Sequence, residues 1–122
     1  MHLSPEIFYK HCYGKYAIPA VNVFTMEQVL GLFSSGEKAK APFIVQITPA
    51  ARNYAGPEML IAMIKAAAKI FPKTVYAVHM DHGNEEHAFD AILSNDYQSV
   101  MIDASHDSFK DNVKRTKAVV EE

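Results

Sequence analysis

"TVYAVHMDHGNEEHAFDAIL" (Thr74–Leu93) changes character halfway along. Its first seven residues, Thr74–Met80, are apolar over most of their length. Such a run reads as a strand buried on both faces. Gly83 then offers a place for the chain to turn, and Asn84 can cap a helix. Glu85 and Glu86 suit a first helical turn, and Phe89, Ile92 and Leu93 form an apolar stripe. The stretch is therefore one strand–turn–helix unit.

Three more units of this kind flank it. Strands are predicted at Tyr16–Val23, Pro42–Thr48 and Tyr97–Asp103. After the first, Thr25 and Gln28 have capping-box spacing, and Val29, Leu32 and Phe33 share a face. After the second, Pro57 suits a first helical position, and Leu60, Met63, Ile64, Ala67 and Ile70 recur at helical spacing. After the last, Ser108 can cap a helix whose Phe109, Val113 and Val120 are expected to face inward. A leading helix is predicted near Pro5–Tyr13. Strand starts fall about 25 to 30 residues apart, the size of one βα unit. Alternation of this kind predicts an α/β fold with a parallel sheet. Two architectures fit: an open doubly wound sheet, or half of a (βα)8 barrel, which needs ~250 residues.

The 122 residues are enough for one compact domain with a core. Hydrophobic residues are 49% and charged residues 21%, an ordinary globular balance. A net charge of -2 leaves no basic footprint for nucleic acid. No run approaches the ~20 apolar residues of a membrane helix. The N-terminus lacks the basic start and apolar block of a secretory signal. Cys12 is the single cysteine, so an internal disulfide is excluded and a reducing cytoplasm is the expected location.

Polar residues gather at the strands' carboxyl ends. The first predicted strand ends near Asn22, the second at Gln46 and Thr48, the third at His79, Asp81 and His82, the fourth at Asp103, Ser105 and His106. The carboxyl edge of a parallel sheet is where ligands bind. Each residue has a plainer reading. Asn22 can be a loop cap, Thr48 a strand end before Pro49, and Ser105 and Asp107 helix-entry residues. Arg52 reads as a solvated loop arginine, and His2, His11 and His87 as surface groups. All four strands converging on this pattern is hard to explain by packing alone. In "HMDH", alternation puts His79 and Asp81 on one face, with His82 beyond. The two histidines are poorly placed to grip one metal together, so His82 reads as a ligand and Asp81 as its neighbouring proton carrier. A catalytic zinc usually has three protein ligands and one open position.

"AIPAVNVFTMEQ", "IVQITPAARNYAG", "VHMDHG" and "SVMIDASHDSFKDNVKRTKAVVE" together resemble the class II, metal-dependent fructose-bisphosphate aldolases, a family that includes tagatose-bisphosphate aldolases. The resemblance runs in order from about Tyr16 to Glu122. It implies the N-terminal half, (βα)4, of a TIM (βα)8 barrel, with residues 1–122 forming one incomplete domain. It also implies a zinc ion, phosphorylated ketose and triose phosphate substrates, and a homodimer or larger assembly. By the same resemblance Asp81 is the catalytic aspartate and His82 a zinc ligand. Asn22 and Thr48 are substrate-binding positions, Thr48 standing where serine is usual. Asp103 lies close to the metal, as a supporting residue or an alternative ligand. Ala104 and Ala50 replace glycines of the family pattern. The remaining zinc ligands and Gly-rich phosphate loops belong to later strands, so the chain alone is expected to be inactive.

Aldol cleavage must stabilise an enediolate, by a lysine Schiff base or by a metal acting as Lewis acid. None of the ten lysines falls at a predicted strand's carboxyl end, which agrees with the metal route. Three other readings compete: a non-catalytic half-barrel fragment or assembly module, an enzyme whose second half arrives as another chain, and an open-sheet nucleotide binder. The last lacks support, since no GxGxxG or GxxxxGK[ST] follows a strand.

Overall fold

The computed structural model describes residues 1–122. Helix α1 (Pro5–Cys12) leads into β1 (Ala20–Asn22), α2 (Met26–Ala39) and β2 (Phe43–Ile47). Two helices follow, α3 (Pro49–Ala55) and α4 (Pro57–Ile70), then β3 (Tyr76–Gly83), α5 (Glu85–Ser94), β4 (Ser99–Ile102) and α6 (Phe109–Val120). The four strands form one parallel sheet in the order β1-β2-β3-β4. No helix is long and apolar enough to cross a membrane.

Local chemistry sets the boundaries. Thr25 caps α2 in a reciprocal capping box with Gln28, and Asn84 does the same for α5 with His87. Ser108 caps α6. Lys40 and Asn95 end α2 and α5 in the left-handed conformation. β1 is shorter than its apolar run because Pro19 has no N–H to give the ladder, which starts at Ala20. The carbonyl of Pro19 still accepts from the Ile44 amide.

One side of the sheet is packed. Val45, Ile47 and Val78 meet Val29 and Phe33 of α2 and Leu60, Ile64 and Ala67 of α4 in a single buried cluster. Phe43 stands edge-on to Phe33, with ring centroids 5.1 Å apart. Gly36 makes this possible, since a Cβ there would lie 2.3 Å from Phe43 Cε1. The other side is open toward its carboxyl end. At its lower end α1 covers it through Phe8, which packs on Ile44 and Ala77.

Three expectations are corrected. The segment after Thr48 is a helix, α3, whose N-cap is Thr48 itself, so Arg52 is a helical residue rather than a loop one. On α6, Phe109, Val113 and Val120 are exposed, at 86%, 51% and 77%; Val119 is the residue that turns inward. On α5 the buried positions are Ala88 and Ala91, Phe89 and Ile92 are half-buried, and Leu93, two residues past Ala91, lies on the opposite side of the helix and is exposed.

Candidate functional site

Register places Asn22, Gln46, His79 and Ser99 side by side in one row across the open face. His79 Nδ1 lies 2.6 Å from Ser99 Oγ. Above this row β3 departs from regular alternation. Met80 pairs with Val100 and Gly83 with Ile102, so Asp81 and His82 together oppose Met101 alone. This is a β-bulge, a device that re-aims side chains beside functional sites. His82 carries the bulge in the left-handed conformation, φ 53°. That conformation costs a non-glycine residue energy, although histidine tolerates it better than most. The pairing resumes with the Asp103 amide donating to the Gly83 carbonyl at 2.7 Å.

The turn expected at Gly83 thus occurs at His82. Gly83 is small for another reason: a Cβ would lie 3.0 Å from His87 Cβ and 3.3 Å from Met80 Cε. It lets α5 start close against the strand.

The bulge sets two consecutive side chains next to each other. His82 Nε2 lies 4.0 Å from Asp81 Oδ1, and His79 Nε2 lies 3.7 Å from the same oxygen. Asp81 is 8% exposed, and neither imidazole is close enough to hydrogen-bond it. His82 Nδ1 meets Asp103 Oδ2 at 2.8 Å. Asp103 Oδ1 in turn accepts from the Ser105 amide at 3.1 Å and its hydroxyl at 2.6 Å. These bonds hold the Asp103 carboxyl well below the usual carboxylate range, Ser105 contributing most and His82 next. The contact with Asp103, helped by Asp81, raises the His82 imidazole above its ordinary value. His79 moves the other way: burial lowers it, and Asp81 opposes the shift.

Donor chemistry follows from these contacts. With Nδ1–H given to Asp103, His82 keeps Nε2 as a free lone pair on the side of Asp81. A carboxylate behind an imidazole is a common way to fix the tautomer of a metal-binding histidine. No three His, Cys, Asp or Glu side chains converge as a metal-binding group within the chain. His82 therefore supplies one ligand position at most with Asp81 beside it, not a closed cage.

Thr48 and Asn22 sit on the same rim. Thr48 Oγ1 accepts from the Ala51 amide at 3.2 Å, which leaves its hydroxyl proton free to donate. Asn22 is exposed at the end of β1. Ser105 binds Asp103 rather than entering a helix, and Asp107 pairs with Arg115. His2 lies against the ring of Tyr76, centroids 4.8 Å apart, and His87 serves the α5 cap. Ser99 was not among the expected site residues. A lone serine inside an apolar run gives no signal until strand register sets it against His79.

A cavity of about 700 Å3 lies at the other end of the sheet between α1 and the end of α2. Leu3, Phe8, Tyr16, Ile18 and Val75 line it, and none of the rim residues does.

Comparison with known proteins gives the family. The family model described as fructose-bisphosphate aldolase class-II matches residues 4–122. The fructose-bisphosphate aldolase of Helicobacter pylori is 31% identical over 115 residues, covering 94% of this chain and 38% of that protein. That of Nostoc sp. is 36% identical over 112 residues, covering 86% and 31%. The crystal structure of the YdjI aldolase from Escherichia coli K12 superposes with a TM-score of 0.87 at 25% identity, covering 99% of this chain and 47% of that one. The chain thus spans less than half the length of the relatives it matches, and its four βα units correspond to half of the aldolases' TIM barrel. On its sequence and its fold, the chain belongs to the class II fructose-bisphosphate aldolase family.

Proposed function

We propose that these residues form the N-terminal part of the active site of a zinc-dependent fructose-1,6-bisphosphate aldolase. The reaction is reversible cleavage to dihydroxyacetone phosphate and glyceraldehyde 3-phosphate. The observation that carries this reading is the bulge, which sets a nearly enclosed carboxylate, Asp81, beside an imidazole backed by Asp103.

His82 Nε2 would hold the zinc ion, with the other ligands coming from outside this chain. A bound zinc ion supplies Lewis acidity at the ketose carbonyl. Asp81 takes the proton from the carbinol hydroxyl as the carbon–carbon bond breaks, and returns it in condensation. Asp103 fixes the His82 ring through Nδ1 and is a supporting residue in this scheme. Thr48 donates its hydroxyl proton to a substrate phosphate. Asn22 binds the substrate beside it. A cytoplasmic homodimer completed by the rest of the barrel is the working form. Tagatose bisphosphate is the alternative substrate.

The test is aldol cleavage measured with and without a zinc chelator. Residues 1–122 alone are expected to be inactive. Residues 1–122 joined to the remaining barrel of the Helicobacter pylori aldolase are expected to cleave fructose 1,6-bisphosphate, and to stop when zinc is removed. A well-folded chimera with no zinc-dependent cleavage would refute the reading in favour of a non-catalytic assembly module.

A further inference from the structure

Arg52 lies outside the rim yet is committed more deeply than any other basic residue nearby. Its side chain is only 10% exposed, and Nη2 pairs with Asp90 Oδ2 of α5. Two more polar atoms are enclosed beside it, its own Nη1 and the hydroxyl of Tyr97, just before β4. Burial pushes the Tyr97 phenol up, so it stays a hydroxyl that can donate and accept. Both residues line a small cavity of about 100 Å3, together with Ile61, Asp90 and Ser94. The guanidinium and the phenol are close enough to act on each other directly, and either group is costly to bury alone.

The connections reach the rim. Arg52 belongs to α3, whose N-cap is Thr48. Asp90 belongs to α5, whose N-cap is Asn84, two residues after His82. Tyr97 leads into β4, whose end carries Asp103. Two loops that carry rim residues therefore lead into helices, α3 and α5, that meet at one guanidinium. Lysine cannot copy this, since it lacks the planar fork that serves two partners in fixed directions.

We propose that Arg52, through Asp90 on one side and the Tyr97 hydroxyl on the other, is a positioning residue that clamps α3 to α5 and holds Thr48 in register with the Asp81–His82 bulge. What is positioned rests on the aldolase reading; the clamp itself does not.

The experiment is residue-resolved amide exchange by NMR on the 122-residue chain. Arg52→Ala is expected to accelerate exchange about tenfold at Ala51 and His87, the amides held by the Thr48 and Asn84 caps, as local opening does. Val45 and Ile47 in the sheet keep their protection. Arg52→Lys restores the Asp90 pair and recovers part of the loss, and Tyr97→Phe reproduces a fraction of it. Asp90→Asn serves the same test if Arg52→Ala fails to fold. Equal acceleration at all four amides would make Arg52 a general stabiliser and overturn the proposal, as would no change at the two caps. This readout needs no catalysis, so a failed aldolase assay with a working clamp, or the reverse, separates the two ideas.

Discussion

The two faces of the sheet differ in what they do with their side chains. Val45, Ile47 and Val78 face the helices and are almost wholly buried. Gln46 and His79, one position away along the same strands, point to the other side in one row with Asn22 and Ser99, and all four carry polar groups. Because strand side chains alternate, one backbone builds both surfaces at once. Apolar burial at ~25 cal/mol per Å2 stabilises the fold from the packed face. The other face has its apolar contacts at the lower end, under α1, and its titratable groups toward the carboxyl end. The main core and the candidate site thus lie on opposite sides of four short strands.

The comparison breaks most sharply at Asp81. In a catalytically complete barrel, Asp81→Asn is expected to lower turnover by about 10²–10⁴-fold, the usual weight of a positioned proton carrier. Zinc content and the circular-dichroism spectrum of the same variant should be unchanged. Retention of more than a tenth of the activity would remove Asp81 from that role.

On the packed face, Ile47→Ala should cost about 2–5 kcal/mol in urea unfolding, through lost burial and a cavity. Its neighbour Gln46→Ala should change stability by less than ~1 kcal/mol, within the range of substitutions outside a core. Similar costs at the two positions would mean that the faces are not divided as described.

Gly36→Ala comes next. The added methyl would meet the Phe43 ring, which is held by Phe33 and Tyr76 and has little room to move. Overpacking of this kind costs about 1–3 kcal/mol, readable as a lower Tm.

The smallest effect is the pH dependence of the His82–Asp103 contact. His82 is raised in the folded chain, so its contribution is complete below its ordinary value of 6.5 and is lost as pH rises through the higher folded value. Asp103 is lowered, so its contribution is present above 3.8 and is lost only in strong acid. His82 is exposed and Asp103 half-buried, so solvent weakens the effect. A slight fall in Tm between neutral and mildly alkaline pH is expected, and His82→Gln should abolish it. A dependence that survives His82→Gln would assign it to another group.

The sequence made the packed face easy to read. Apolar runs such as "PFIVQIT" and "TVYAVHM" marked strands, and Thr25, Asn84 and Ser108 marked helix starts, because caps and burial are local signals. The open face was only partly legible. Asp81, His82 and Asp103 stood out as titratable groups at strand ends. The bulge did not, because simple alternation assumes one residue per rung, and the extra residue shows only in the pairing with β4. α3 was hidden because "PAARNYA" is too short and too mixed to show a period, and Thr48 before Pro49 looked like a strand simply ending. On α6 the spacing of Phe109, Val113 and Val120 imitated a buried stripe, although only the Val119 side of the helix meets the rest of the chain.

The strand order has a kinetic consequence. Each strand pairs with the one made just before it: Ala20 with Ile44, Ile44 with Ala77, His79 with Ser99. Loop closures of this length carry a modest entropic cost, because that cost grows only logarithmically with the number of residues enclosed. The sheet can therefore grow by accretion during synthesis, each newly emerged segment zipping onto a neighbour that has already left the ribosome.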